Sequence, residues 1–149
     1  MVAPALPVPT LDGWTLRRVA GAAPGTYTAW HGGEPLTRLE LRRVAGDRLR
    51  NCYPYGEHDL AVRVHPAAPR ATVVALLRAL VPALFAADPR CRRVVAAPAE
   101  NDAAARAVYV AGGLRQVAEA DLPEGTVVLL TAEPPQLAEL PTSLADMPH

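Results

Sequence analysis

HDLAVRVHPAAPRATVVALLRALVPALF, residues 58 to 85, changes its hydrophobic period midway, and that change decides the fold class. From His58 to His65 the pattern alternates. Leu60, Val62 and Val64 face one way, while Ala61, Arg63 and His65 face the other, which predicts a central strand. Beyond it, Val73, Leu76, Leu77, Leu80, Leu84 and Phe85 recur at helical spacing and form a broad apolar face. Pro69 suits the first helical position, so the helix starts near Pro69 or Arg70. Pro82 lies inside the pattern and predicts a kink or break. A strand followed by an amphipathic helix is one unit of a sheet covered by helices.

Toward the N-terminus the period stays at two. Strands are expected at Trp14 to Ala20, Thr26 to His31 and Leu36 to Val44, separated by the turns Gly21 to Gly25 and HGGEP. Toward the C-terminus, Arg92 to Ala97 reads as a short buried strand. Asn101 and Asp102 cap a second helix, Ala103 to Val110, which Gly112 and Gly113 stop. Leu114 to Ala120 and Thr126 to Ala132 flank a DLPEG turn. Residues 1 to 12 form a loose proline-rich lead-in, 13 to 132 the domain, and 133 to 149 a proline-rich tail. The fold class is α/β in the α+β sense, a mixed and mostly antiparallel twisted sheet with helices packed on it.

Bulk composition narrows the function. Half of the residues are hydrophobic and the formal net charge is zero, so nothing pulls the chain globally toward nucleic acid or a membrane surface. All 15 basic residues are Arg, which excludes Schiff-base chemistry on lysine. The arginines at 38, 42, 43, 48 and 50 are interrupted by Glu40 and Asp47 and read as a solvated strand face. Ser143, in the tail, is the only serine, so serine-nucleophile chemistry fails on inventory. The four histidines share no ligand spacing with one another or with the cysteines, so no metal is expected. Cys52 and Cys91 are expected as buried or half-buried free thiols. No signal-like start and no apolar run of spanning length stands out, so the expectation is a cytoplasmic protein.

RRVVAAPAENDAAARAVYVAGGLRQVAEADLPEGTVVLL, residues 92 to 130, resembles the C-terminal half of the GNAT acyltransferases. Its strand, capped helix start and A-x-x-x-Y-x-x-G-G run carry the likeness. GGEPLTRLELRRVAGDRL, LFAADPRCRRVVAAP and the DLPEG turn are similar to the branch that acylates hydroxylated lysine or ornithine in siderophore assembly. The resemblance implies an acyl-CoA-dependent N-acyltransferase acting on a small amine or hydroxylamine. It also implies that the pantetheine arm pairs with the central strand at Val64, with the diphosphate at the following helix start, on Arg70, Ala71 and the neighbouring Asp102.

Several positions depart from that pattern. The helix-start stretch HPAAPRATVV has no glycine, and Pro66 and Pro69 remove amide donors. Acetyl-CoA or another acyl-CoA is therefore expected to bind weakly or not at all. Where the branch has a catalytic histidine, counting from Asp59, this chain has Arg63, so a base would have moved to His65 or Glu100. His65 reads equally as an exposed strand-end residue, and Glu100 as a loop carboxylate near a helix start. Tyr109 falls where the family places the proton donor to the leaving thiolate, or packs its ring on the sheet. Arg63 and Trp30 are candidate substrate contacts.

The two helices that normally follow the first strand have no room. That leaves Trp14, Leu16, Tyr27, Trp30, Tyr53 and Tyr55 as candidates for an uncovered surface. An oligomer is expected, with a different partner chain favoured over self-association. Two functional classes remain: an acyltransferase, or a GNAT-fold subunit of a heteromeric biosynthetic complex that has lost acyl-CoA binding.

Overall fold

The computed structural model describes residues 4–65 and 68–135. Seven strands, β1 (Trp14–Arg18), β2 (Thr26–His31), β3 (Glu34–Arg43), β4 (Leu60–Val64), β5 (Val94–Ala96), β6 (Arg115–Leu122) and β7 (Gly125–Ala132), make one sheet of order β1-β2-β3-β4-β5-β7-β6. Only the β4–β5 pair is parallel; α1 (Arg70–Ala87) forms the crossover between them, and α2 (Ala103–Ala111) links β5 to β6. Residues 19–25 join β1 to β2 by turns, so the sheet lacks the helices typical of that connection.

The alternation expected of the central strand is observed. Leu60, Val62 and Val64 are buried, while Arg63 and His65 are exposed. Both helices pack on that buried face. Leu76, Leu77, Leu80 and Leu84 of α1 are wholly buried and meet Leu39, Leu41, Val94 and Leu130 of the sheet. Each such leucine contributes roughly 1.5–3 kcal/mol of hydrophobic stabilisation. By length and composition α1 could cross a membrane; in the fold its leucine stripe is spent on the sheet. A second, smaller cluster covers the opposite side of the β4–β5–β7–β6 half, where Leu49, Tyr53 and Tyr55 from the β3–β4 connection meet Val95, Val127 and Leu129.

Several sequence expectations need correction. Pro82 neither breaks nor ends α1, which runs unbroken to Ala87. Pro82 and Arg78 both lie on the exposed side, where solvent can reach the carbonyl that proline leaves unpaired, while Leu80, Val81 and Leu84 hold the buried side in place. The DLPEG turn is shorter than expected, since β6 and β7 pair as far as Leu122↔Gly125 and only Pro123 and Glu124 turn the chain.

The lead-in is not loose where it is described. Leu11 is buried, Leu6 packs on the core, and Arg43 donates to the carbonyls of Pro4 and Ala5. This packing removes the uncovered surface expected there. Tyr27 is in the core, and Trp14 and Leu16 pack against it. Tyr53 and Tyr55 meet in a tilted ring contact over the second cluster. Gly25 lets the lead-in approach: at φ +91°, a Cβ there would run into the Leu41 carbonyl and the Leu6 side chain. Pro66 and the tail from 136 onward lie outside the described residues.

Two buried carboxylates anchor the base of the sheet. Asp59 accepts hydrogen bonds from the amides of Arg92, Arg93 and Gly56 at 2.8–3.1 Å. Asp88, at the end of α1, pairs with Arg43 at 2.7 Å, and Arg43 also donates to the His58 carbonyl. Burial works to raise the Asp88 pKa, but the hydrogen bonds from Arg43 and the Arg90 amide, with the Arg43 charge, leave it below the ordinary 3.8. A depressed folded pKa gives stability that is present above the unfolded value and is lost as pH falls through the folded one. The Asp88→Asn variant should be less stable at neutral pH and should show a flatter acid limb below pH 3.8 in urea titrations repeated across pH. Asp59→Ala leaves the three amides without their acceptor and should lower unfolding free energy by about 1–3 kcal/mol, read from the urea midpoint.

Candidate functional site

The strand pair β4–β5 holds together for two residues only, Leu60↔Val94 and Ala61↔Val95, and then parts. On its other edge β4 stays paired with β3 through Val64. The chain leaving β5 follows β7 instead, through the Ala99↔Val127 bridge, Pro98 accepting from Val128 at 2.9 Å, and Glu100 donating its amide to Thr126 at 3.0 Å. The split opens a cleft of about 1190 Å³ between the β4 edge, the starts of both helices, and the β6–β7 turn.

Tyr109 reaches into this split from α2. It is buried, and its hydroxyl accepts the Val64 amide at 3.1 Å, taking the place of the β5 carbonyl that a continuous ladder would supply. Burial, first of all, raises its pKa above 10, with the Val64 hydrogen bond and Arg63 acting the other way. The phenol therefore stays protonated at neutral pH and has a proton to give. Asp102 begins α2, and its carboxylate accepts from the Ala105 amide at 3.0 Å, the expected capping bond. A carboxylate offers no donor to a phosphate. Asp102 thus builds the cleft wall as a cap.

Of the residues singled out from the sequence, Val64, Tyr109, His65, Glu100, Arg63, Arg70 and Asp102 all line this cleft. The fold therefore brings together residues from β4, both helix starts and the loop after β5. Two residues fall elsewhere. Ala71 is exposed on the first turn of α1 and is not among the lining residues, and Trp30 lies two strands away under the Arg17 guanidinium, 4.3 Å from the ring centre. At the α1 start, Pro69 occupies the cap position with no side-chain cap bond, and the first helical bond is from Val73 to Pro69.

Sequence reading missed the mouth of the cleft. Asp47, Arg48 and Leu49 from the β3–β4 connection line it opposite Glu124 of the β6–β7 turn and Gly125 at the start of β7, and Arg48 pairs with Glu124 across that gap. These segments lie 76 positions apart, and neither carries a motif of its own. A charged pair at hairpin tips is legible only once the sheet order is known. Of the two free thiols, Cys52 is half-buried and Cys91 buried. Burial, helped by Asp59, pushes the Cys91 thiol up to about 12, far from a nucleophile's range.

The family model described as Acetyltransferase (GNAT) domain matches residues 16–122 of the chain. No curated protein matches it. Among solved structures, an uncharacterized protein from Bacillus halodurans is 24% identical, with a TM-score of 0.65 over 74% of this chain and 60% of that one. The structure of AAC(6')-Ib with ribostamycin and coenzyme A is 21% identical, TM-score 0.65, over 76% and 65%. Mycobacterium smegmatis RimJ with CoA-disulfide is 16% identical, TM-score 0.55, over 75% and 54%. The chain spans less than two thirds of the length of each, and at these identities the likeness is one of fold.

Tyr109→Phe leaves the Val64 amide without its acceptor. It should cost about 1–3 kcal/mol in urea unfolding and speed hydrogen exchange at the Val64 amide above that of its strand neighbours.

Proposed function

The chain belongs to the GNAT acetyltransferase family, and from that premise we propose that it transfers an acyl group from a pantetheine thioester to the nitrogen of a small amine or hydroxylamine. One observation carries the reading: the sheet splits beside β4, and a protonated, buried tyrosine stands in the split. Past Ala61 the cleft-side edge of β4 has no β5 strand against it, which suits the amides of a pantetheine arm.

In the proposed reaction the acceptor nitrogen attacks the thioester carbonyl, the C–N bond forms and the C–S bond breaks. Tyr109 gives its proton to the departing thiolate, and His65 or Glu100 takes the proton lost by the acceptor. Arg63 offers a cation to an anionic group on the acceptor. The Asp47–Arg48 segment and the Glu124 turn narrow the mouth.

The cleft fits the two ends of acyl-CoA unequally. Its open strand edge suits the arm. The helix start suits the nucleotide poorly, because Pro69 supplies no amide and the sequence has no glycine between Gly56 and Gly112. Arg70 alone offers charge there. Acyl-CoA is accordingly a weak donor in this reading, and the cytoplasm, which holds acyl thioesters, is the compartment it requires. The siderophore or natural-product setting rests on the likeness of Gly32 to Leu49 and of DLPEG to that branch.

A second reading is favoured by the same Pro69 cap: a subunit of a hetero-oligomeric biosynthetic complex that binds no acyl-CoA. Thiol release from acetyl-pantetheine and acetyl-CoA, measured with a panel of amines and hydroxylamines, separates the two. The first reading expects turnover, with Tyr109→Phe lowering kcat about a hundredfold and KM little changed. Absence of thiol release with every pair leaves the second.

A further inference from the structure

Among the described residues, no helix covers the face of the sheet turned away from α1 and α2 over β1 to β3 and the end of β4, and that face is basic. Arg17, Thr28, Trp30, Arg38, Glu40, Arg42 and Arg63 project from it, as the registers Arg17↔Thr28, Thr28↔Arg38 and Glu40↔Arg63 require. Arg17, Arg38 and Arg63 are exposed. Among the described residues, Arg38 and Arg63 form no ion pair, and the single acid of the patch, Glu40, approaches Arg42 at 4.0 Å. The exposed large hydrophobic residues, Val8 and Val110, lie outside the patch. A partner seated on this face would meet charge more than apolar surface.

The patch is continuous with the cleft, because Arg42 and Arg63 belong to both. A partner seated on it stands at the cleft's edge. The cleft itself suits a pantetheine arm, while at the α1 start Pro69 contributes no amide toward a nucleotide diphosphate. Those two observations have one common answer. Resting on the acyl-transfer reading above, we infer that the thioester arrives on the phosphopantetheine arm of an acidic carrier protein that docks on this arginine-lined face.

The arm then carries one phosphate where a nucleotide donor carries more, and the Arg70 guanidinium at the α1 start is a sufficient partner for it. The open face takes the place of the nucleotide pocket as the source of donor affinity. Chemistry is unchanged: the C–S bond of the carrier thioester breaks, the C–N bond forms, and the carrier leaves as its free thiol after taking the Tyr109 proton.

The test uses the full chain with an acidic acyl carrier protein in its apo, phosphopantetheinylated and acetyl-loaded forms. Binding is followed by fluorescence anisotropy at about 50 mM and about 500 mM salt, and turnover by mass of the carrier. The acetyl-loaded carrier should bind at low salt, weaken at high salt, and lose its acetyl group to an amine acceptor. Arg38→Glu, and separately Arg17→Glu with Arg38→Glu, lie outside the cleft lining; they should weaken carrier binding about tenfold or more and leave acetyl-pantetheine turnover unchanged. No carrier binding, binding insensitive to these reversals, or tighter binding of a single-stranded RNA oligonucleotide overturns the inference. Turnover of acetyl-pantetheine and acetyl-CoA with rejection of the carrier sinks the inference and leaves the acyl-transfer reading standing. A carrier that binds while no donor is consumed sinks both.

Discussion

The structure depends on a parallel strand pair that is allowed to exist for only two residues. At its closed end the buried Asp59 carboxylate gathers the amides of Gly56, Arg92 and Arg93, so the start of β4 and the approach to β5 are tied through one group. Toward its open end the chain after β5 finds its hydrogen bonds on β7 instead. The backbone polar groups of β4 must still be satisfied. Tyr109 supplies one acceptor from α2, and the rest of the edge faces the cleft.

This arrangement explains why catalytic candidates from distant parts of the chain converge. The ends of β4 and β5 aim both helix starts at the same gap. Both α1 and α2 pack on one face of the sheet. Gly112 sets how closely they can approach, since a Cβ there would lie 2.7 Å from Leu77. That packing holds Tyr109 one turn earlier at the right depth. The hydrophobic clusters, on opposite sides of the sheet, have separate duties. One carries the helices, while the other holds the β3–β4 connection over β5 and β7 and so shapes the mouth.

The open basic face and the altered helix start are two consequences of one economy in the chain. With turns alone between β1 and β2, no helix among the described residues covers the outer side of β1 to β3. Those strands answer by placing arginine, threonine and glutamate there. On the inner side the lead-in supplies the cover, with Leu6 and Leu11 on the core and Arg43 holding its carbonyls. A buried arginine serving two backbone carbonyls, a third on His58 and the Asp88 carboxylate joins the first residues, β3, β4 and α1 at a single point.

The sequence by itself determined the elements and their order, because each rests on local physics. Alternation marked β4, a 3.6-residue period marked α1, and the Asp102 cap with the glycine pair marked α2. The A-x-x-x-Y-x-x-G-G run placed Tyr109 on the helix that meets the cleft. Tertiary structure alone decided what depends on neighbours distant in the chain. Pro82 stays helical because its exposed side is open to solvent and its buried side is locked. The lead-in is pinned because a buried guanidinium needs acceptors. Trp30 lies outside the site because it sits on β2, with β3 between it and β4. The Arg48–Glu124 mouth exists only because β6–β7 is folded against the β3–β4 connection. Local pattern encodes backbone conformation, whereas burial, charge pairing and the width of a cleft are properties of contacts that no short stretch of sequence contains.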